Sequence, residues 1–223
     1  MNRKNILKFV GIFFLYYLSD LIYLIPLLAL GIDVPSLSIA WQMFLMILAD
    51  LFVTIILGLI YKNYLIEKFH DFKHNFLKYF DMGLKYWLIG LAFMYLSNSL
   101  LAIFSPVKEA INESNVQSLI TASPFLAMLL TTIFAPINEE IIFRKSIQDC
   151  LKNKWVFIVV SGLIFGYLHV LGSESLYDFL YIIPYGSLGA AFAYLLSKTD
   201  NIYVTILMHL IHNGLLTIIS ILL

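Results

Sequence analysis

The sequence predicts an all-α fold: one polytopic membrane bundle of about seven transmembrane helices, with an interfacial amphipathic helix after the second. Three observations predict it. Hydrophobic residues make up 61% of the 223 and charged residues 13%, against about 45–50% and about 25% in soluble domains. Charges divide the chain into uncharged runs close to the ~20 residues that carry a helix across a ~30 Å hydrocarbon core. Period-two alternation is absent, and backbone in lipid must be helix or closed barrel. The length suits a single membrane domain over 1–223. Lys plus Arg and Asp plus Glu balance at 14 each, so net charge points to no nucleic-acid partner. A single cysteine, Cys150, allows neither an internal disulfide nor a thiolate cluster for zinc.

The spans follow in order. Runs at about 6–30 and 36–61 are apolar apart from Lys8, Asp20 and Asp50; the first is too long for a signal peptide and is followed by further spans. Asp20 and Asp50 are read as pairing with hydroxyls or backbone, or as lining a watery cavity. Residues 62–80 repeat Phe69, Phe72, Phe76 and Phe80 at helical spacing with lysines between, the pattern of a helix lying in the interface. His70 and His74 there have metal-ligand spacing, but equally suit a polar face. Five further uncharged runs are 86–107, 114–138, 155–173, 179–197 and 201–223. The stretches 105–122 and 172–178 read as outer loops, with Glu109 and Glu113 as solvated charges. With the N-terminus inside, 13 of the 14 basic residues fall on inner segments and only Lys108 falls outside. Seven spans then put the C-terminus outside. Gly186, Gly189, Ala190, Ala191 and Ala193 read as a close-packing face, and Pro184 as a kink.

Ionisable groups inside spans are costly and mark function or a buried pair. Three places carry them. In Asn138-Glu139-Glu140-Ile-Ile-Phe-Arg144, Glu140 and Arg144 are four apart and can pair, while Glu139 points about 100° away. Pro136 bends the helix and frees a carbonyl. Gly162, Phe165, Gly166 and His169 share one face, and the two glycines allow close helix approach. In the last span His209 and Asn213 line one face, with His212 beside it. Singly, the first would also suit a helix end with ordinary boundary charges, and the other two helix–helix hydrogen bonding. Together they provide a carboxylate base, imidazoles and an amide donor, the inventory for splitting an amide with activated water. No HExxH or GxSxG stretch occurs.

In this set of motifs the chain resembles the CPBP intramembrane proteases, also called the Abi family, which include CAAX prenyl endopeptidases and bacteriocin-processing and immunity proteins. The family's EExxxR, FxxxH and HxxxN motifs stand here in order as Glu139-Glu140-xxx-Arg144, Phe165-xxx-His169 and His209-xxx-Asn213. The resemblance covers about 139–213, inside a protease core at about 114–223. It implies Glu139 as general base sharing a water with His169, and His209 and Asn213 as the oxyanion site. It further implies Glu140 and Arg144 as orienting residues and Phe165 as packing; His212 matches no motif position. A metal-free mechanism is preferred; the alternative is a divalent ion such as zinc on Glu139, His169 and His209.

The implied partners are the bilayer and a membrane-associated peptide entering from the inner side, such as a bacteriocin or peptide precursor. Lys outnumbers Arg 12 to 2, which fits a bacterial source. The competing readings are a non-catalytic immunity or scaffold protein and a proton-relaying transporter; the intact motif set disfavours the first, and the lack of an inverted repeat the second. One tension remains. Measured from the nearest charges, Glu139 lies about 7 Å deep, His209 about 11 Å and His169 about 22 Å. They meet if Arg144 is itself buried with Glu140 and the boundary lies at 145–154, or if the fifth helix protrudes inward.

Overall fold

The computed structural model describes residues 3–106, 110–173 and 175–222. Lys108, Glu109 and Glu174 lie outside them. The described chain is helical throughout, without strands: α1 (Arg3–Tyr17), α2 (Leu21–Ala29), α3 (Ile39–Ile60), α4 (Lys62–His74), α5 (Phe76–Phe104), α6 (Ile111–Ala122), α7 (Pro124–Cys150), α8 (Lys154–His169), α9 (Leu176–Phe179), α10 (Ile182–Thr199) and α11 (Ile202–Leu222). The polytopic all-α bundle stands; the count of seven spans is corrected. Five segments are long and apolar enough to cross a membrane, or six if the bent pair α1 and α2 is one span. That pair turns by 49° where polar Ser19 and Asp20 interrupt the apolar run. The fifth predicted span, 155–173, is α8, which has only 16 residues, about 24 Å of helix.

Three boundaries move for identifiable reasons. The predicted interfacial helix over 62–80 ends at Asn75, whose amide donates to the Asp71 carboxylate at 2.8 Å, and residues 76–80 join the long α5. The predicted loop over 105–122 contains a helix, α6, whose Ile120 is buried with Met43, Ala127 and Leu130. The fourth span runs over 124–150 instead of 114–138. Glu139, Glu140 and Arg144 were natural boundary marks, but they lie within α7, and the last two have no exposed surface.

Lipid gives little hydrophobic drive for one apolar helix to leave it for another, so close backbone approach decides packing. Helix α10 lies between α8 and α5. A Cβ on Gly166 would stand 2.6 Å from the Ile182 carbonyl, and one on Gly162 2.8 Å from that of Gly186. On the other side, one on Gly90 would stand 2.6 Å from the Cβ of Ala191. The small-residue faces read from the sequence are these contacts. The largest core cluster joins Ile12 of α1, Val53 and Leu57 of α3, Ile142 and Phe143 of α7, Phe157 and Phe165 of α8, and Ile206 of α11. Leu, Ile and Phe side chains such as Leu77, Phe104 and Leu163 are exposed on the outside, where lipid would meet them.

Helix α4 is fastened to the start of α11. Asp71 accepts hydrogen bonds from Tyr79 at 2.6 Å and from the Asn201 amide at 2.9 Å, and Lys68 pairs with Asp200 at 2.8 Å. The Tyr79 hydroxyl first, and the Asn201 amide next, hold the Asp71 carboxyl below the usual carboxylate range.

Gly166→Ala is expected to destabilise the protein by about 1–3 kcal/mol, since the clash is with backbone that cannot swing away. Gly11→Ala, where a Cβ meets nothing within 4 Å, is the control in detergent thermal melts. For Asp71 the folded value lies below the unfolded one of about 3.9. Its stabilisation is therefore present above about pH 4 and is lost as pH falls through the folded value. The difference in melting temperature between wild type and Asp71→Asn should shrink on acidification from about pH 6 to pH 3.

Candidate active site

The site is built on an irregular helix. Within α7, residues Leu129–Phe134 and Ile141–Ser146 are π-helical, on either side of the two glutamates. Such wide turns cluster at functional sites because they reset which side chains face inward. Pro136 explains one consequence. In the π register the Ala135 N–H donates to the Leu130 carbonyl. By the same register the Thr131 carbonyl would look to residue 136, and proline has no N–H. That carbonyl is taken instead by the Asn213 side-chain amide of α11, at 2.7 Å. The carbonyl expected to be freed by Pro136 is thus the one that ties α7 to α11.

The two glutamates have different surroundings. Glu140 is fully buried; its carboxylate lies 3.3 Å from Arg144 Nη2 and accepts from Nδ1 of His209 at 2.9 Å. Arg144 also has no exposed surface. Its guanidinium lies 4.4 Å from the Phe165 ring centre and donates to the Ser161 hydroxyl at 3.3 Å. A carboxylate paired with arginine only accepts, so Nδ1 of His209 carries a hydrogen and Nε2 is turned to the other glutamate. Nε2 is 3.9 Å from Oε2 of Glu139. Glu139 keeps 12% of its side chain exposed and accepts from the Tyr16 hydroxyl at 3.4 Å.

His169 closes α8. Its Nδ1 is 2.8 Å from the Phe165 carbonyl, which can only accept, so Nε2 is the nitrogen left with a lone pair. The ring is stacked on Tyr185, with centroids 4.5 Å apart, and leans on Phe165 at 4.3 Å.

Glu139, His169, His209 and Asn213 all line one cavity of about 270 Å³, which Phe165 also walls. A second hollow of about 310 Å³ adjoins it and shares Tyr16, Asp50, Asn112, Glu139 and His169. Glu140 and Arg144 lie behind the wall. The depth tension resolves as the buried-arginine alternative has it: α7 runs on to Cys150, so Glu139 sits well inside the span.

Two expectations change. The peptide was expected to enter from the side of the N-terminus; the polar lining residues Asp20, Asn112, Glu113 and Ser220 lie instead near helix ends on the opposite face. The reason is that His169 and the end of α11 lie at that face, whereas Cys150 bonds back to Asn5 at the other. Glu113 is no simple solvated charge: it accepts from Gln117 at 3.0 Å and lines the cavity. Tyr16, Asn112 and His212 reach the cavity without having been singled out for it. Asp50, read as a cavity or pairing residue, lines it and lies 3.4 Å from the Asn138 amide. A lone tyrosine among 14 gives no signal in a sequence.

The zinc alternative meets a poor donor set. Among the described residues no three His, Cys, Asp or Glu side chains gather as a group that could hold a metal ion; the contact of His209 Nδ1 with Glu140 leaves Nε2 as the open nitrogen and does not itself count against one. His70 and His74 are exposed on α4 and belong to no such group either.

Arg144→Met should cost about 3–5 kcal/mol, because it strands the buried Glu140 charge. Glu140→Leu with Arg144→Met should cost less than the two single changes summed, and a double-mutant cycle on detergent melting measures that coupling.

Comparison with known proteins points the same way. The model of the family described as type II CAAX prenyl endopeptidase Rce1-like matches residues 121–215. The candidate membrane peptidase YdiL of Bacillus subtilis (strain 168) is 33% identical over 121 residues, 53% of this chain and 46% of that protein. The UPF0177 protein YxdF of Lactococcus lactis subsp. lactis (strain IL1403) is 26% identical over 141 residues, 60% of this chain and 76% of that one. The match therefore spans less than half of the Bacillus relative. No solved structure matches. The stretch holding all three motifs is similar to the Rce1-like family and to these two relatives, in keeping with the motif resemblance to the CPBP proteases.

Proposed function

We propose that the protein is an intramembrane endopeptidase that hydrolyses a peptide bond with water activated by Glu139 and His169. The observation that carries this reading is one cavity walled by a partly exposed carboxylate, Glu139, and by His169 with its Nε2 lone pair unused. A water has two hydrogens to give, and these are two acceptors. Glu139 takes one proton as the oxygen attacks the carbonyl carbon. The new C–O bond forms as the carbonyl π pair moves onto its oxygen. Collapse of that tetrahedral species re-forms the carbonyl and breaks the C–N bond, and the proton held by Glu139 passes to the leaving amine. Glu140 and Arg144 act through His209: the buried pair fixes the ring so that Nε2 faces the reaction space. The resemblance gives Asn213 and His209 the oxyanion; the remaining hydrogen of the Asn213 amide is free to serve there, whereas His209, with Nδ1 given to Glu140, donates there only as the imidazolium, with hydrogen on both nitrogens.

The substrate in this reading is a membrane-associated peptide, such as a bacteriocin or peptide precursor. The face bearing Lys62, Lys68, Lys73 and Lys145 is assigned to the cytoplasm. The end of the cavity lined by Asp20, Asn112 and Glu113 then faces outward, and the peptide in this reading arrives from that side.

The test uses the full chain in proteoliposomes with a fluorogenic peptide library. Glu139→Gln should lower cleavage by about 10²–10⁴-fold while leaving the melting temperature near that of wild type. Cleavage by Glu139→Gln at the wild-type rate would exclude the base assignment. No cleavage by wild type of any library member or membrane-anchored peptide would leave a non-catalytic membrane protein.

A further inference from the structure

We infer that His212, which belongs to none of the three motifs, is an additional hydrogen-bond donor to the carbonyl oxygen of the scissile bond. The inference rests on the proteolytic reading above. It begins with Trp87 of α5. The indole Nε1 lies 3.4 Å from Nδ1 of His212. An indole nitrogen only donates, so Nδ1 must accept and its lone pair is used. A ring whose Nδ1 accepts is neutral and carries its hydrogen on Nε2. The ring is 6% exposed and Trp87 8%, so water competes little for this bond. Edge contact fixes the pair further, with ring centroids 6.4 Å apart and planes at 75°.

The Nε2–H so fixed has no partner among the described residues, yet His212 lines the same cavity as Glu139 and His169. A buried N–H left open toward a reaction space is costly unless something there accepts from it. The other donors of α11 are partly spent: Nδ1 of His209 serves Glu140, and the Asn213 amide serves the Thr131 carbonyl. His212 is the donor whose orientation is set from behind and whose hydrogen is wholly available. A donor held ready where negative charge develops needs no reorganisation during the reaction, which is how oxyanion sites lower barriers.

The test compares three substitutions in the full chain in proteoliposomes. The Nε of glutamine occupies roughly the place of histidine Nε2, whereas asparagine places its nitrogen near Nδ1. His212→Asn and His212→Phe should lower kcat by about 10²-fold with KM nearly unchanged. His212→Gln should restore most of that loss. Melting temperatures identify any variant that fails to fold. Equal kcat in His212→Phe and wild type, equal rescue by Asn and Gln, or a change confined to KM would overturn the inference. A second readout needs no turnover: ¹⁵N spectra of the histidines should show His212 with hydrogen on Nε2, and Trp87→Phe should let the two tautomers mix. The opposite tautomer in wild type overturns the inference whatever the activity. Absence of cleavage by wild type is a different result; it removes the proteolytic reading and the role of His212 in it, while the spectra still decide the tautomer.

Discussion

The buried set of Arg144, Glu140 and His209 is the constraint on which the rest of the bundle depends. Two full charges with no exposed surface sit in the middle of a membrane span. Each is tolerable only because the other is there, with Phe165, Ser161 and His209 packed or bonded against the pair, although Arg144 Nε stays buried without a hydrogen-bond partner among the described residues. The arrangement draws α7, α8 and α11 to one point. These are the helices that carry the three motifs, so electrostatic necessity and the shape of the cavity have the same origin. Glu139, one residue away, escapes the pairing and keeps a carboxylate facing the hollow.

Irregular backbone does the remaining placing. Two π-helical stretches flank the glutamates, and Pro136 leaves the Thr131 carbonyl to Asn213. Asn213 is therefore a cross-brace between α7 and α11 as well as a residue of the cavity wall. Its two amide hydrogens allow both, one spent on the carbonyl and one remaining. The glycine seam between α8 and α10 does for backbones what the ion pair does for side chains, holding His169 and Tyr185 in register for their stacking.

Much of the site was legible in the sequence because polar residues in a lipid-like helix stand out. Glu139, Glu140, Arg144, His169, His209 and Asn213 could all be named, and spacing four apart foretold the pair of Glu140 with Arg144 and the inward face of Gly162, Phe165, Gly166 and His169. The boundary of α7 was not legible for the same reason that the residues were. Charge marks the membrane surface only when it is unpaired, and Glu140 and Arg144 cancel inside. Nor could helical spacing reveal π turns, which change the register without changing composition. Tyr16 and Asn112 arrive at the cavity from distant segments, and no local pattern announces a tertiary contact. The fate of His212 depends on Trp87, 125 residues away.

The shortness of α8 has a consequence for how water reaches the hollow. Its 16 residues reach about 24 Å, some 6 Å less than a typical hydrocarbon slab. A short segment is accommodated by local thinning of the bilayer around it. Helix α8 ends at His169, so thinning there brings the headgroup region down to the level of that imidazole. Hydration of the hollow then follows from the length of one helix.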